Sequence, residues 1–210
     1  MAAQTMEAVV TSGPPAPPER DAFRSGMRSL AHGVCVIALG EGAARNGLTA
    51  TSVVSLAADP PTLLFCVNKT SSARPALQAG AAVSVNILSG AQEIVADSFA
   101  GRGGQKGAAR FAEGDWRQDA GGPPVLVDSL VSFVCEIEET IERHSHAIVT
   151  ARVVETRVRE DQCALVYAQG GYDRIGWSAL EVRAVAGLPE SPRRADDNRQ
   201  TIIDLRTQRI

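Results

Sequence analysis

The chain has 210 residues, of which 44% are hydrophobic and 21% charged, and its formal net charge is −3. A chain of this length and composition forms one domain that buries roughly 70% of its unfolded surface. Proteins that mainly bind nucleic acid carry a basic excess, so the acidic balance argues against that class. We expect no nucleic-acid partner.

Membrane and targeting segments are not indicated by the sequence. It contains no apolar run of about 18 residues or more, the length that a membrane helix requires. It also shows no charged-then-apolar leader at its start. These observations predict a cytoplasmic protein with no membrane partner.

Four cysteines are scattered singly along the chain, each within an apolar, strand-like run: Cys35, Cys66, Cys135 and Cys163. There is no CxxC pair, and no histidine stands at ligand spacing from them. Buried, reduced thiols are typical of such positions. The sequence therefore predicts neither a metal site nor a disulfide framework.

The chain opens with an Ala-, Pro- and Ser-rich stretch, residues 1–18, which predicts a flexible N-terminal arm. Phe23, Met27 and Leu30 follow at spacings typical of a short amphipathic helix, predicted at 19–30. Two more short helices are predicted at 72–79 and 91–99. The glycine-rich run 101–110 lacks the Lys-Ser or Lys-Thr pair of a phosphate-binding loop, so we expect a surface connection there.

Strand patterns dominate the remaining sequence, at 34–39, 48–56, 62–67, 83–87, 130–142, 147–159 and 163–168. Pro60 and Pro61 are expected to lie between strands, because proline has no N–H for a sheet ladder. Most loops have hairpin length, without the regular strand–helix alternation of a parallel sheet. We predict a mainly β fold at 19–178, a small antiparallel barrel with peripheral helices.

The sequence beyond Tyr172 becomes polar, and residues 179–210 are predicted to form a C-terminal tail. Its last segment, TIIDLRTQRI, contains enough Ile and Leu to dock on another surface. A partner subunit is one candidate for that surface.

The stretch 46–74, NGLTATSVVSLAADPPTLLFCVNKTSSAR, carries two hydroxyl-rich turns, expected at corresponding ends of two neighbouring strands. Backbone N–H groups, hydroxyls and the ammonium of Lys69 would then converge, as an anionic ligand such as a phosphate requires. Small residues such as Gly47 and Ala50 would let the backbone approach a ligand closely. The residues alone leave alternatives open, since the threonines could be outward-facing strand residues and Lys69 a solvated turn residue.

Several motifs, in order, resemble the flavin reductase-like family of FMN-binding split barrels, especially the reductase components of two-component flavin-dependent monooxygenases. The motifs are the stretch 46–73, VSVNIL with AQEIVADSFAG, Arg110-Phe111, GPPVLVDSLVSFVCEIEE, HSHAIVTARVV and LVYAQGGY. The resemblance implies a homodimeric split barrel that binds FMN or FAD near the subunit interface and reduces it with NADH or NADPH. It also implies a partner monooxygenase that receives the reduced flavin by diffusion.

Carried over position by position, the resemblance assigns three groups of residues. The ring and ribityl chain would be lined by Asn46, Gly47, Leu48, Thr49, Ala50, Thr51 and Ser52, with Cys66, Val67 and Asn68 along the same flavin. The phosphate would face Lys69, Ser71 and Ser72, with Phe99 and Ala100 closing that end. His146 would position the nicotinamide, and Tyr172 would lie near the mouth of the site.

Other interpretations of the same residues stay open. His146 could be a neutral structural histidine, and Cys66 could matter through its backbone rather than its thiol. A reductase of another acceptor, such as a corrinoid, would hold FMN tightly in the same fold. A flavin- or haem-binding protein without reductase activity would leave NADH unoxidised. Hydride transfer to flavin needs no strong nucleophile, which agrees with the lack of a Ser-His-Asp pattern.

Overall fold

The computed structural model describes residues 19–159, 162–176 and 201–204. The arm predicted at 1–18 and most of the tail predicted at 179–210 lie outside these residues. The helices are α1 (Arg20–Arg28) and α2 (Glu93–Ala100). The strands are β1 (His32–Gly33), β2 (Cys35–Leu39), β3 (Asn46–Ala50), β4 (Val54–Ala58), β5 (Pro61–Asn68), β6 (Ala82–Ile87), β7 (Trp116–Arg117), β8 (Val125–Leu126), β9 (Val131–Arg143), β10 (His146–Val158), β11 (Ala164–Ala168), β12 (Gly171–Ile175) and β13 (Thr201–Asp204).

An eight-stranded antiparallel sheet forms the body of the domain, in the order β3-β2-β6-β9-β10-β5-β4, with β13 also paired to β10. β10 pairs with β9 from His146 to Val158, with β5 from His146 to Arg152, and with β13 from Glu155 to Val158. A smaller sheet has the order β1-β11-β12, and β7 pairs with β8. The mainly β, antiparallel prediction is therefore confirmed for the described residues.

The core packs against both faces of β2. Ile37 lies in one buried cluster with Phe65 and Val149, whereas Val36 lies in a second cluster with Phe99. All five residues of β2 are buried, because the strand is covered on both sides. This explains why GVCVIAL is a continuous apolar run rather than an alternating one. The second cluster holds α2 against the sheet.

The single strand predicted at 48–56 is wrong in one respect, since the structure divides it into β3 and β4. Between them the hydroxyl of Ser52 bonds both the carbonyl and the N–H of Cys66. A side chain thus takes the place of ladder bonds at this point, and the chain turns from one end of the sheet to the other. Strand propensity alone does not predict that a side chain will replace ladder hydrogen bonds at this point.

Two predictions that involve proline need correction. Pro61 does not lie between strands but opens β5, where it pairs with Ala58 of β4. Proline is tolerated as the first residue of a strand because that residue need not donate an N–H to the sheet ladder. The helix predicted at 72–79 is only a 3-10 turn, Arg74–Ala76, with Pro75 in its first turn. Hydrogen bonds within the preceding polar turn already use the backbone groups that a longer helix would need.

The other predicted elements are found close to their expected bounds. α1, α2, β9, β10 and β11 correspond to the predictions at 19–30, 91–99, 130–142, 147–159 and 163–168. The glycine-rich run contains the start of a 3-10 helix, Gly107–Ala112, and β1, β7, β8 and β12 were not predicted. Three of these four strands have only two residues, too few for a periodic pattern. No helix among the described residues has the length and apolar character needed to cross a membrane.

All four cysteines are free thiols. Cys35, Cys135 and Cys163 are buried, and Cys66 is half-buried. Burial raises the pKa of the Cys35 and Cys135 thiols to about 12, because the thiolate would lose its hydration. The prediction of reduced, packed thiols is confirmed for three of them, and Cys66 lies nearer the surface.

Candidate functional site

Two polar segments, 46–52 and 66–72, lie side by side in opposite directions. Asn46 Nδ2 donates to Ser72 Oγ at 3.4 Å, and at the other end Ser52 Oγ donates to the Cys66 carbonyl at 3.1 Å. The expected placement, two turns at corresponding ends of neighbouring strands, is wrong. β3 and β5 are not sheet neighbours, although the start of β3 does meet the second turn through Asn46 and Ser72. We refer to the polar region between these two segments as the cleft.

The edge of β3 that faces away from β2 has no strand partner in the described part of the sheet. The Gly47 carbonyl points to that edge, where it accepts a hydrogen bond from Arg110 Nη1 at 2.5 Å. Backbone groups alternate between strand edges with a period of two residues, so the N–H and C=O of Thr49 point the same way. The N–H of Gly47 already donates to Asn46 Oδ1 at 2.8 Å, so the main-chain donor and acceptor that this edge leaves for a ligand in the cleft are those of Thr49.

The segment around α2 holds β3 in place. Thr49 Oγ1 donates to the Ala96 carbonyl at 2.6 Å, so this hydroxyl is already used within the protein. A Cβ on Gly47 would lie 2.6 Å from the Ile37 carbonyl oxygen and 2.7 Å from the Phe99 ring. The small size of Gly47 is therefore required by internal packing, which corrects its assignment to the approach of a ligand ring.

Phe99 belongs to this internal packing as well. It is 2% exposed, and its ring centroid lies 4.9 Å from that of Phe111 and 5.2 Å from that of Trp116. Phe99 supports β3 from below rather than lining the cleft, whereas Ala100 at the end of α2 is exposed. The sequence prediction did not include Arg110 in the site, although the Arg110-Phe111 motif was the available indication.

The second polar turn is organised by its own side chains. Asn68 Oδ1 accepts from the N–H of Thr70 at 3.0 Å and from its hydroxyl at 2.9 Å, and the N–H of Ser71 donates to the Asn68 carbonyl at 2.9 Å. Ser71 Oγ then accepts from the N–H of Ala73 at 3.3 Å. The side chains of Lys69 and Ser72 are left at the surface of a well-defined loop.

Three charged side chains meet at this turn. Glu142 lies 3.2 Å from Lys69 Nζ and 3.1 Å from Arg74 Nη2. The hydrogen bond from Lys69 is the largest cause of a lowered Glu142 pKa, followed by the attraction of the same ammonium. Arg74 has only 13% of its side chain exposed, and its Nε is buried without a hydrogen-bond partner.

Arg74 and Glu142 were not predicted as site residues. Arg74 directly follows the Ser-Ser-Ala of the turn, so its position could have been noticed in the sequence. Glu142 is the last residue but one of β9, about seventy residues later in the chain, and it has no local signal. It reaches the turn because Ala147 of β10 stands opposite both Glu142 and Val67.

His146 is brought to the same end of the site by sheet register. It stands directly opposite Asn68, and the N–H of Lys69 donates to the Ser145 carbonyl at 3.0 Å. The imidazole is exposed, and its Nδ1 lies 2.9 Å from Ser145 Oγ. The neighbouring His144 has a φ of +49°, within the left-handed region that favours glycine. The hairpin thus presents His146 beside the second polar turn.

Tyr172 lies in a different environment, against α2. Its ring centroid is 5.4 Å from that of Tyr167, and the Arg102 guanidinium lies 5.2 Å above it. Partial burial, and then a hydrogen bond to Asp97, raise the pKa of Tyr172 to about 12. Among the described residues no hydrogen bond or ring contact joins Tyr172 to His146.

The remaining predicted residues contribute mainly through the main chain. Leu48 packs against the core, and the Ala50 and Val67 side chains are 6% and 0% exposed. Thr51 is half-buried in the connection between β3 and β4. Cys66 alternates with the buried Phe65 and Val67, so its side chain faces the other side of β5.

The donor set of the cleft fits a flavin nucleotide. An unpaired strand edge can hydrogen-bond the edge of a flat heterocycle, while hydroxyls and two cations at one end can bind a phosphate. The buried, unpartnered Arg74 Nε is the observation in favour of an anion there. The fold is that of an antiparallel β protein, and the polar groups of its cleft could hold a planar ligand that carries an anionic group.

Comparison with known proteins identifies the family. Residues 27–176 match the model of the flavin reductase like domain, so the chain belongs to that family. It is 35% identical to the FMN reductase (NADH) RutF of Ancylobacter novellus, over 81% of this chain and 88% of the relative. It is 36% identical to the 4-hydroxyphenylacetate 3-monooxygenase reductase component of Pseudomonas aeruginosa, over 75% and 93%.

A solved structure gives the same result for the fold. The NADH:FAD oxidoreductase SgcE6 of Streptomyces globisporus C-1027 superposes with a TM-score of 0.69 at 25% identity, covering 79% of this chain and 98% of that one. The resemblance predicted from the ordered sequence motifs is therefore confirmed at the level of the family.

Proposed function

We propose that the chain is an NAD(P)H:flavin oxidoreductase that transfers a hydride from the nicotinamide to FMN or FAD. The observation that carries the proposal is the cleft between segments 46–52 and 66–72, with an unpaired β3 edge along it and cations at one end. Relatives named as an NADH-dependent FMN reductase and an NADH:FAD oxidoreductase support both flavins and favour NADH as donor.

Different residues of the chain would bind different parts of the flavin. A bound flavin supplies the hydride-accepting chemistry. The main chain of Thr49 would hold the ring edge, and Asn46 with Ser72 would hold the ribityl chain. Lys69 and Arg74 would neutralise the phosphate, as cations do at other phosphate sites. Arg110 and α2 keep β3 in register for these contacts.

His146 would orient the nicotinamide. It is exposed and lies opposite Asn68, at the open side of the cleft, while its Nδ1 interacts with Ser145. An imidazole in this position can contact the carboxamide without taking part in proton transfer, because hydride transfer to flavin requires stacking and orientation.

The reduced flavin would leave for a separate monooxygenase. This part of the proposal is supported by the relative named as a reductase component of 4-hydroxyphenylacetate 3-monooxygenase. The exposed cationic turn at one end of the cleft is consistent with flavin that exchanges with solvent.

The sheet also supports a split barrel in a homodimer. Its two end strands, β3 and β4, are consecutive in the chain, and the bonds of Ser52 to Cys66 join β3's end to β5. Closure of the sheet at this seam would place the cleft in the barrel wall, where a second subunit can cover part of it.

A direct test follows NADH oxidation by the purified chain with FMN, FAD and riboflavin added in turn. We expect flavin-dependent oxidation with at least FMN or FAD, and release of the reduced flavin into solution. The spectrum of the protein before flavin addition shows whether a flavin is already retained. A strongly yellow protein with negligible turnover of added flavin would favour a reductase of another acceptor, and absence of oxidation with either NADH or NADPH would refute the enzyme.

A further inference from the structure

The Glu142 carboxylate occupies the space between the two cations of the second polar turn. One of its oxygens lies 3.2 Å from Lys69 Nζ and the other lies 3.1 Å from Arg74 Nη2. Each oxygen therefore accepts from a different cation, and the carboxylate bridges them. A phosphate presents the same kind of acceptor oxygens to the same donors.

This bridge stands at the end of the cleft assigned to the phosphate. Ser71 and Ser72 lie between the two cations in sequence, and Ser72 Oγ lies 3.4 Å from Asn46 Nδ2. The Arg74 N–H donates to the Ser71 carbonyl at 3.0 Å, which fixes the arginine to the same turn. An anion that binds Lys69 and Arg74 at this turn therefore meets the carboxylate that already holds both cations.

The charges at the turn decide what Glu142 does to such an anion. Lys69 and Arg74 contribute two positive charges, and Glu142 cancels one of them. Its lowered pKa keeps the carboxylate ionised throughout the neutral range. The side chain of Glu142 is 57% exposed, so the carboxylate itself can move into water, whereas the Arg74 side chain is only 13% exposed and then needs the incoming anion as its partner.

We propose that Glu142 is an internal competitor for the phosphate of the flavin, which weakens flavin binding and lets the nucleotide exchange. The proposal rests on the proposed function and deepens it by assigning an affinity-setting residue. In the free protein the carboxylate holds the cations, and a phosphate monoester must displace it. A reductase that delivers its product by diffusion gains from such a displaceable anion.

The test compares Glu142→Gln with the matched variant Glu136→Gln. Glu136 lies on the same strand and pairs with Arg152 at 2.9 Å, away from the cleft, so both variants remove one charge from an ion pair. We expect Glu142→Gln to bind FMN about two- to tenfold more tightly, from the size of exposed ion pairs. Glu136→Gln should leave FMN affinity unchanged.

Riboflavin, which lacks the phosphate, distinguishes the mechanism. Dissociation constants are measured from the quenching of flavin fluorescence, and thermal unfolding of each variant checks that the fold is retained. The proposal requires that Glu142→Gln leaves riboflavin affinity unchanged while the FMN dissociation rate falls. If Glu142→Gln binds FMN as tightly as the wild type or more weakly, the role of Glu142 is refuted but the proposed function is not. An equal gain in riboflavin affinity has the same consequence. Failure of the wild-type protein to bind either flavin would overturn the proposed function as well.

Discussion

Gly47 shows how a single position links the core to the cleft. Its missing side chain lets Phe99 pack directly beneath β3, and its carbonyl accepts a hydrogen bond from Arg110. Thr49, two residues later, is tied to Ala96 by its hydroxyl. The residues that the sequence assigned to ligand contact therefore act first as supports, and they leave only their outward main chain for a ligand.

His146 gives the sharpest prediction at the scale of single residues. The variant His146→Ala should raise the nicotinamide KM or lower kcat, by about tenfold, while flavin affinity stays nearly constant, because the imidazole is exposed beside the cleft rather than within it. Steady-state kinetics with varied NADH and a separate flavin titration measure the two effects.

The control for His146 is the adjacent histidine of the same turn. His144→Asn retains a residue that tolerates a positive φ, so it should preserve both the hairpin and the kinetics. An equal loss of flavin binding in His146→Ala would show that the residue belongs to the flavin site. Unchanged kinetics would show that it has no part in the reaction.

At the scale of elements, the buried amide of Asn86 joins its own strand, β6, to three others, β2, β8 and β9. Asn86 is fully buried, and its Nδ2 donates to the Val36 carbonyl at 3.1 Å and to Ser84 Oγ at 2.9 Å. Its Oδ1 accepts from the N–H of Leu126 at 3.0 Å and from Ser132 Oγ at 2.9 Å. β8 has only two residues, so this side chain replaces much of the ladder that a longer strand would supply.

The variant Asn86→Ala should therefore be destabilised by about 2–4 kcal/mol, because it leaves buried donors and acceptors without partners. Urea unfolding followed by circular dichroism measures the change. The exposed Gln78 makes one side-chain hydrogen bond, to Pro75, and Gln78→Ala serves as the control with an expected change within about 0.5 kcal/mol. Similar stability of the two variants would contradict the role given to Asn86.

The elements that the sequence predicted well have strong periodic patterns. β9 and β10 each continue for thirteen residues, and the helix at α2 has apolar residues on one side. Hairpin turns and prolines marked most boundaries. The break between β3 and β4 could not be predicted, because it depends on Ser52 finding the backbone of Cys66, a contact across the sheet.

The candidate site was predictable only in part for the same reason. The motifs located 46–52 and 66–72, and register alone then placed His146 opposite Asn68. Glu142 has no signal near it in the sequence, since its role depends on pairing across β10 to β5. The Thr49 hydroxyl is likewise unavailable to a ligand because it donates to the Ala96 carbonyl, a tertiary contact that the sequence does not reveal.

At the scale of the whole molecule, β4 ends the sheet with apolar side chains on its surface. Val54 and Leu56 are each 55% exposed, and β4 pairs only with β5 among the described strands. An exposed apolar edge strand is normally covered by another surface. This supports the proposed homodimer, with β4 as part of the contact.

Sedimentation of the purified protein should therefore give twice the chain mass of 22.1 kDa. The variant Leu56→Asp should move the equilibrium toward the monomer by about tenfold or more, because a charge replaces an apolar contact. Ile94, which is 66% exposed on α2, provides the comparison variant Ile94→Asp, and this one should stay dimeric. A wild-type protein with the mass of one chain, at all concentrations, would refute the dimer.

The arrangement of the cleft also bears on the order in which it forms during synthesis. Both of its walls come from one continuous stretch, 46–72, so they leave the ribosome together, joined by a segment that contains β4 and most of β5. The β9–β10 hairpin that supports the second wall is made much later, and it brings Glu142 and His146. A nascent chain would thus have both walls before it has the two residues that govern flavin exchange and nicotinamide approach.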